Sequence, residues 1–410
     1  MTVLSKAALR SSLNALIEPK RIAFGAAAAA VCPLRPAPLA CVRVVEVAEL
    51  VAMIRQARLA GLPMVCYGSG SRLRSRRKLA EGAYLALSLT ELTGVEELQS
   101  DGLWLRARSG TPLIEIVRRA AEAGLRPLGF DADSRGSLGG WLAGNARVPD
   151  PILGLWQPAC LGIEAVLPDG TRIASRPSPR AATGSDWFSL MLGTNGAFGA
   201  ITTATIKLEP LPERRLVVGF RFRNVAPALG LLRQLLQRGW PPSEASLLME
   251  GGPRKKVRLW LRYEGQARLA AQATRWCQQQ AALRHARVAA LDQVREWQAE
   301  TPSAGTRVLQ APVRYAQVND LLAKVSSWQE GFRAILDRVD ATGGRLRIEL
   351  ERRVDAKTRK DWGEAWDPEA LMRKRVDAAH ARLRSVAMEL DPDGLFNPHA
   401  WPLAWPGGGA

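Results

Sequence analysis

The sequence predicts a two-lobed α+β protein, and three observations carry that expectation. At 410 residues the chain exceeds what one compact core ordinarily organises, so two closely packed domains are expected. Apolar runs with strand and helix periodicity alternate along it, and the pattern starts afresh after Pro210 and Pro212. Three glycine-rich clusters, at 68–71, 137–145 and 193–199, each follow an apolar run, which marks places where main chain must approach something closely.

Composition narrows the class. Hydrophobic residues make up 47% and charged residues 23%, as in soluble globular domains, which argues against long disorder and against a fibrous protein. The net charge of +18 favours anionic ligands without choosing among nucleic acid, acidic surfaces, phosphorylated cofactors and carboxylates. No nucleic-acid-binding signature accompanies it, so a solvated basic surface is the better account and no nucleic-acid partner is expected. Cys32, Cys41, Cys66, Cys160 and Cys277 include no C-x-x-C pair, which suits a reducing cytoplasm and no metal site. The apolar stretch 24–31 is far too short to span a membrane.

In chain order, Leu4, Ala8, Leu9, Leu13 and Leu16 recur at helical spacing, in preference to a cleaved transit peptide. An amphipathic helix over 47–60, stopped by Gly61, feeds a strand over 63–67 that ends at Gly68-Ser69-Gly70-Ser71. Strands follow at 83–89 and 103–107, then a helix over 112–123 with Thr111 as N-cap and Gly124 as stop. A strand over 162–167, a turn at Pro168-Asp169-Gly170, a helix over 186–192 and a strand over 200–208 complete the first lobe. The second lobe reads as strands at 216–222, 245–249, 257–263, 307–310 and 345–350, with helices at 226–238, 266–282, 288–299 and 328–339. A long helix over 368–389 precedes the closing motif Asp391-Pro392-Asp393-Gly394-Leu395-Phe396-Asn397-Pro398.

A dinucleotide presents a pyrophosphate of about two negative charges, which a turn without Cβ atoms can meet with several backbone N–H groups. Gly68-Ser69-Gly70-Ser71 can form such a turn, but as a nicotinamide fingerprint it fails, because Leu73 stands where the third glycine belongs. The ordered set of clusters is more specific than any one of them.

That set resembles a known family. The stretch from Pro63 to Ser71 resembles the pyrophosphate loop of the FAD domain named after p-cresol methylhydroxylase, the PCMH type of the vanillyl-alcohol oxidase superfamily. Asp131 to Asn145, with Ser137-Leu138-Gly139-Gly140, resembles its second signature. Leu161 to Gly170 is similar to its Leu-Gly-x-Glu-Val-Val-Leu-Pro-Asp-Gly strand and turn, and Met191 to Thr202 to its Gly-x-x-Gly-x-x-Gly-x-Ile-Thr run. The ending matches its Asp-Pro-x-Gly-x-Phe-Asn-Pro. Within the superfamily the chain looks most like the smaller FAD-binding subunit of bacterial glycolate dehydrogenase.

The resemblance implies a lead-in over 1–40, a PCMH-type FAD-binding domain over 41–212, an α+β cap or substrate domain over 213–350, and a C-terminal helix returning to the FAD domain over 351–410. It implies that Gly68, Ser69, Gly70 and Ser71, with Tyr67 ahead of them, hold the pyrophosphate of FAD. Ser137, Leu138, Gly139 and Gly140 would pass along the cofactor. Gly193, Gly196, Gly199 and Ile201 would complete the adenine and flavin pocket, with Asn397 of the closing motif beside them. Many members attach flavin through a histidine in or near the first loop, and no histidine here precedes His285, so non-covalent FAD is expected. The resemblance further implies a small hydroxy-acid substrate, a second flavin subunit and an iron–sulfur subunit as partners, and a cytoplasmic protein, with peripheral association at the inner face of a membrane left open.

Oxidising a 2-hydroxy acid such as glycolate or D-lactate needs an arginine for the carboxylate, a base for the hydroxyl proton, and the α-carbon against flavin N5 to pass hydride. Arg345, Arg347 and Arg262 are candidates for the first role and His399 for the flavin edge; Tyr263 is a weaker one. The family's usual Asp ahead of the Leu-Gly strand is replaced by Pro158, and the region matching its His-rich strand, 341–347, has no histidine. A catalytic dehydrogenase and an FAD-fold scaffold subunit that has lost the chemistry therefore both stay open. A cofactor-free anion or nucleic-acid binder would rest on charge alone.

Overall fold

The computed structural model describes residues 6–34, 36–70, 84–145, 147–149, 156–178, 187–250, 256–299, 307–314, 332–337, 343–350, 385–386 and 388–397, with single positions 318, 320 and 322. The chain divides into two units. The first comprises Met1–Val148, Pro158–Leu211 and Ala379–Ala410, and the second Pro149–Gln157 and Pro212–Ala378.

The first unit contains two sheets. In the smaller one, strands Ile22–Phe24, Ala40–Arg43, Leu85–Ser88 and Met64–Tyr67 lie side by side in that order. The last three are parallel, because helix Val47–Leu59 carries the chain across from Ala40–Arg43 to Met64–Tyr67. That helix buries Leu50, Met53, Ile54 and Ala57 on one face, as its apolar spacing predicts, and Gly61 at φ +60° ends it. Leu13 of helix Lys6–Leu16 enters the same core; Leu4 lies outside the described residues.

Glu49 fixes the start of this helix. Its carboxylate accepts the Glu46 and Val45 amides, completing a capping box, and takes two bonds from Arg21 at 2.8 and 2.6 Å.

The second sheet of this unit runs Arg172–Ala174, Cys160–Val166, Ala200–Pro210, Trp104–Arg108, Val95–Gln99 in order, with Leu125–Pro127 also pairing the long central strand. Helices Leu113–Glu122 and Leu138–Asn145 bury Leu113, Ile116, Leu138 and Leu142 in the core shared with it. Thr111 is not the N-cap the sequence suggests. Pro112 takes that place, and the Thr111 hydroxyl instead accepts the Gly94 amide and donates to the Gly94 carbonyl. Two further helices sit where glycine and alanine density hid them, Leu138–Asn145 and Gly25–Val31.

In the second unit a seven-stranded antiparallel sheet has the order Arg287–Val288, Arg214–Phe222, Lys256–Gly265, Glu244–Glu250, Phe332–Asp337, Gly343–Leu350, Arg307–Arg314. Helices Val225–Gln237 and Ala267–Leu283 cover one face over a core that includes Phe220, Leu232, Leu247 and Leu259. The helix expected over 328–339 is corrected to strand Phe332–Asp337. Ala334, Ile335 and Leu336 are all buried because this strand is central in the sheet, so period-2 alternation is lost and the run reads like a helix. The helix expected over 288–299 starts at Leu291, after the edge strand Arg287–Val288. Most of the expected helix over 368–389 lies outside the described residues. Among the described residues no helix is long and apolar enough to cross a membrane.

The Arg21 guanidinium holds the Glu49 carboxyl below its usual 4.5. A depressed folded-state pKa stabilises above that ordinary value and is lost as pH falls through the folded one. Glu49→Gln is therefore expected to melt lower than wild type at about pH 6, with the gap closing towards about pH 3. Thermal melts across that range check this; a gap independent of pH contradicts it.

Candidate cofactor cleft

Each glycine cluster follows an element that holds it in place. Strand Met64–Tyr67 delivers Gly68-Ser69-Gly70 to its C-terminal end, the end at which open parallel sheets bind ligands. Helix Leu138–Asn145 presents its N-terminal turn beside that loop, its first amides tied down as Leu138 N–H donates to Thr111 O (3.0 Å) and Gly139 N–H to Ser109 O (2.7 Å). The turn before strand Ala200–Pro210 brings Asn195 (φ +55°), Gly196 (φ +80°) and Gly199 (φ +158°) alongside.

Together they line one cleft of about 820 Å³, open mouth included, within the first unit. Tyr67, Gly68, Ser69 and Gly70 line it from the first loop, and Ser137, Gly139 and Gly140 from the second cluster. Gly196, Gly199 and Ile201 line it from the third, and Asn397 from the closing motif. Leu138 is elsewhere, fully buried in the core behind its helix. Gly193 is not part of the lining; at φ +75° it follows helix Trp187–Met191 and donates to Leu142 O. Ser71 and His399 lie outside the described residues.

The glycines have a different reason from the one sequence suggests. A Cβ on Gly68 would stand 2.5 Å from Ser137 Oγ, one on Gly70 2.6 Å from Pro33 Cγ, one on Gly139 2.8 Å from Ser109 Cβ, and one on Gly199 2.7 Å from Val166 O. These positions are glycine because the protein's own segments press against each other there, and the main-chain wall they form is the consequence.

Asn397 fastens that wall. It is 1% exposed and held at φ +42°, a conformation asparagine tolerates better than most residues. Its Oδ1 accepts Cys66 N–H at 2.7 Å, its Nδ2 donates to Gly196 O at 2.8 Å, and its own amide donates to Met64 O at 2.8 Å. Beneath it Asp391, 3% exposed, accepts the Leu395 and Phe396 amides and so shapes the turn that presents Asn397. Burial pushes the Asp391 carboxyl up, while those amides pull the other way.

Cys66, Leu89, Ser109, Ala143, Gly144, Asn195 and Ala200 also line the cleft without being named as site residues from the sequence, although Ala143, Gly144 and Asn195 fall within its glycine clusters. The Asn195-Gly196 dipeptide was a readable turn signal; for the others only tertiary contact decides. Among the described lining residues there is no Asp, Glu, His, Lys or Arg. The ionisable ones, Cys66 and Tyr67, are both pushed up by burial, the phenol further by the Cys41 thiol 3.2 Å away.

In the second unit the sheet register gathers the arginine candidates. Directly opposed residues share a face, and the row Arg258, Leu248, Ile335, Arg347 crosses four strands. Arg262 lies on the face opposite the helices, and Arg345 stands opposite Asp337 in the backbone register. Arg262 is already engaged: its Nη2 lies 2.6 Å from Glu244 Oε2 and its guanidinium 5.9 Å from the Trp260 ring centroid. Tyr263 is buried in the helix-facing core, its hydroxyl on Cys277 Sγ.

A cleft walled by main chain and small residues, free of carboxylates among its described lining, beside a helix N-terminus and with one buried hydroxyl left unpartnered at Ser109, fits a phosphorylated dinucleotide. The class so defined is a nucleotide-cofactor fold with a second α+β unit. Residues 38–175 match the family described as FAD binding domain. A chain of alkyldihydroxyacetonephosphate synthase superposes with a TM-score of 0.71 at 15% identity, over 95% of this chain and 85% of that one. An FAD-linked oxidoreductase of Mycobacterium tuberculosis is 26% identical over 197 residues, 47% of this chain and 42% of its own. The Danio rerio protein named "Probable D-lactate dehydrogenase, mitochondrial" is 26% identical over 196 residues, 46% of this chain and 38% of its own. The matched segment takes in less than half the length of each of these two relatives. The fold is the PCMH-type FAD-binding fold, and the cofactor is FAD.

Removing the Asn397 side chain leaves a buried donor and a buried acceptor unpaired, at about 1–3 kcal/mol each. Asn397→Ala is expected to lower Tm by several degrees and flavin content with it, and Asn397→Asp to fail too, because a carboxylate cannot donate to Gly196 O. Melting curves and the flavin-to-protein absorbance ratio check this; an Asp variant equal to wild type contradicts it.

Proposed function

We propose that the chain holds FAD non-covalently in this cleft and serves as an FAD-dependent oxidoreductase of a small 2-hydroxy acid such as glycolate or D-lactate. The observation that carries the reading is the convergence of three glycine clusters and Asn397, spread over more than three hundred residues, on one cleft. In this reading Tyr67 to Gly70 lie against the pyrophosphate, and Ser137, Gly139 and Gly140 run along the cofactor. Gly196, Gly199, Ile201 and Asn397 close the remaining wall. The absence of any histidine before His285 supports a non-covalent site, and the D-lactate dehydrogenase name among the relatives supports the substrate class.

FAD, when bound, supplies a hydride acceptor at its N5. The chain's part is to orient the cofactor through main chain held by Asn397, to keep water from that wall, and to bind the substrate carboxylate. Arg345, Arg347 and Arg262 are the proposed candidates for that last role, and Arg262 already pairs with Glu244. Electrons would pass to a partner, for which a second flavin subunit and an iron–sulfur subunit are the proposed classes.

A second reading, a scaffold subunit that keeps FAD but not the chemistry, is favoured by one observation. No described residue lining the cleft can serve as general base at neutral pH, since Cys66 and Tyr67 are both held protonated by burial.

The purified chain is expected to be yellow, with the spectrum bleached anaerobically by glycolate or D-lactate when candidate partners are present. Ala143→Leu, which fills the cleft from helix Leu138–Asn145, should lose flavin while the apoprotein still melts cooperatively. Undiminished flavin in that variant sinks the cleft assignment. Flavin that no hydroxy acid bleaches in any partner combination selects the scaffold.

A further inference from the structure

Ser109 is a lining residue to which neither the glycine clusters nor the closing motif pointed. It follows strand Trp104–Arg108 and is 2% exposed. Both its backbone groups are spent, the N–H on Thr202 O at 2.8 Å and the C=O on Gly139 N–H at 2.7 Å. Its side chain packs on Gly139, where an added Cβ would stand 2.8 Å from Ser109 Cβ and 3.4 Å from Ser109 Oγ. The side chain is thus clamped between the central strand Ala200–Pro210 and the helix that begins at Leu138, with rotation about one bond as its main freedom. Yet its hydroxyl is buried without a hydrogen-bond partner.

Buried hydroxyls are ordinarily paired, and an orphan one is a standing cost to the fold. Thr205 Oγ1 is a second such hydroxyl among the described residues, but Thr205 is not part of the cleft lining, whereas Ser109 is. The orphan at Ser109 therefore coincides with the one place where a ligand rich in acceptor oxygens is expected. We propose that the Ser109 hydroxyl is a cofactor ligand, completing its hydrogen bonding by donating to an oxygen of bound FAD. This rests on the reading that FAD occupies the cleft. It makes Ser109 a residue whose polar group costs stability in the empty protein and repays it only on binding.

That asymmetry is what the experiment reads. Ser109→Ala removes a single oxygen, and with no internal partner to lose the apoprotein should melt at or above the wild-type apo temperature. Titrated with FAD and followed by flavin fluorescence, the same variant should bind about tenfold more weakly than wild type. An unchanged FAD affinity overturns the proposal, and so does an apo Tm several degrees below wild type, because either result means the hydroxyl finds its partner within the protein. Failure of the underlying reading is separately visible: Ala143→Leu would then bind FAD as wild type does, whatever Ser109→Ala shows.

Discussion

The cleft exists because one buried amide side chain ties three distant segments together. Asn397 spans from the Cys66 amide at the root of the first loop to the Gly196 carbonyl in the third cluster, and its own amide holds the Met64 carbonyl. Both ends of an amide must be paired when buried, so neither loop can drift without leaving a donor or acceptor orphaned. A hydrophobic side chain could fill the same volume but would not set the distance between two main chains. Asp391 repeats the device one step away, spending a buried carboxylate on two amides so that the chain turns into Asn397 in a single geometry.

With the main chains so held, the cleft wall can be built from almost no side chains. Gly68 against Ser137, Gly139 against Ser109 and Gly199 against Val166 are contacts at distances that no Cβ could occupy. Close packing of the protein on itself leaves a cleft wall of main chain and small residues, with no carboxylate among its described lining.

Chemistry is another matter. The described lining is electrically quiet, its thiol and phenol kept neutral by burial, so it can position a cofactor better than it can move a proton. In the other unit, Arg262 is paired with Glu244.

Much of this was legible in the residues alone. Amphipathic periodicity placed helix Val47–Leu59 and the strand Met64–Tyr67 that follows it, because one-sided burial writes itself into spacing. Glycine clusters announced the cleft, because backbone positions at φ +71° or +80° admit few other residues. What the residues could not announce were properties of contact between remote segments. Strand Phe332–Asp337 is a strand because neighbours on both sides bury it, which erases the alternation that would have identified it. Thr111 spends its hydroxyl on Gly94 rather than on a helix end, and Ser109 carries an unpaired hydroxyl that only its place in the cleft makes meaningful. Local sequence determines which face of an element is apolar and where backbone must bend; which groups are then left to meet a ligand is decided when segments hundreds of residues apart close on one another.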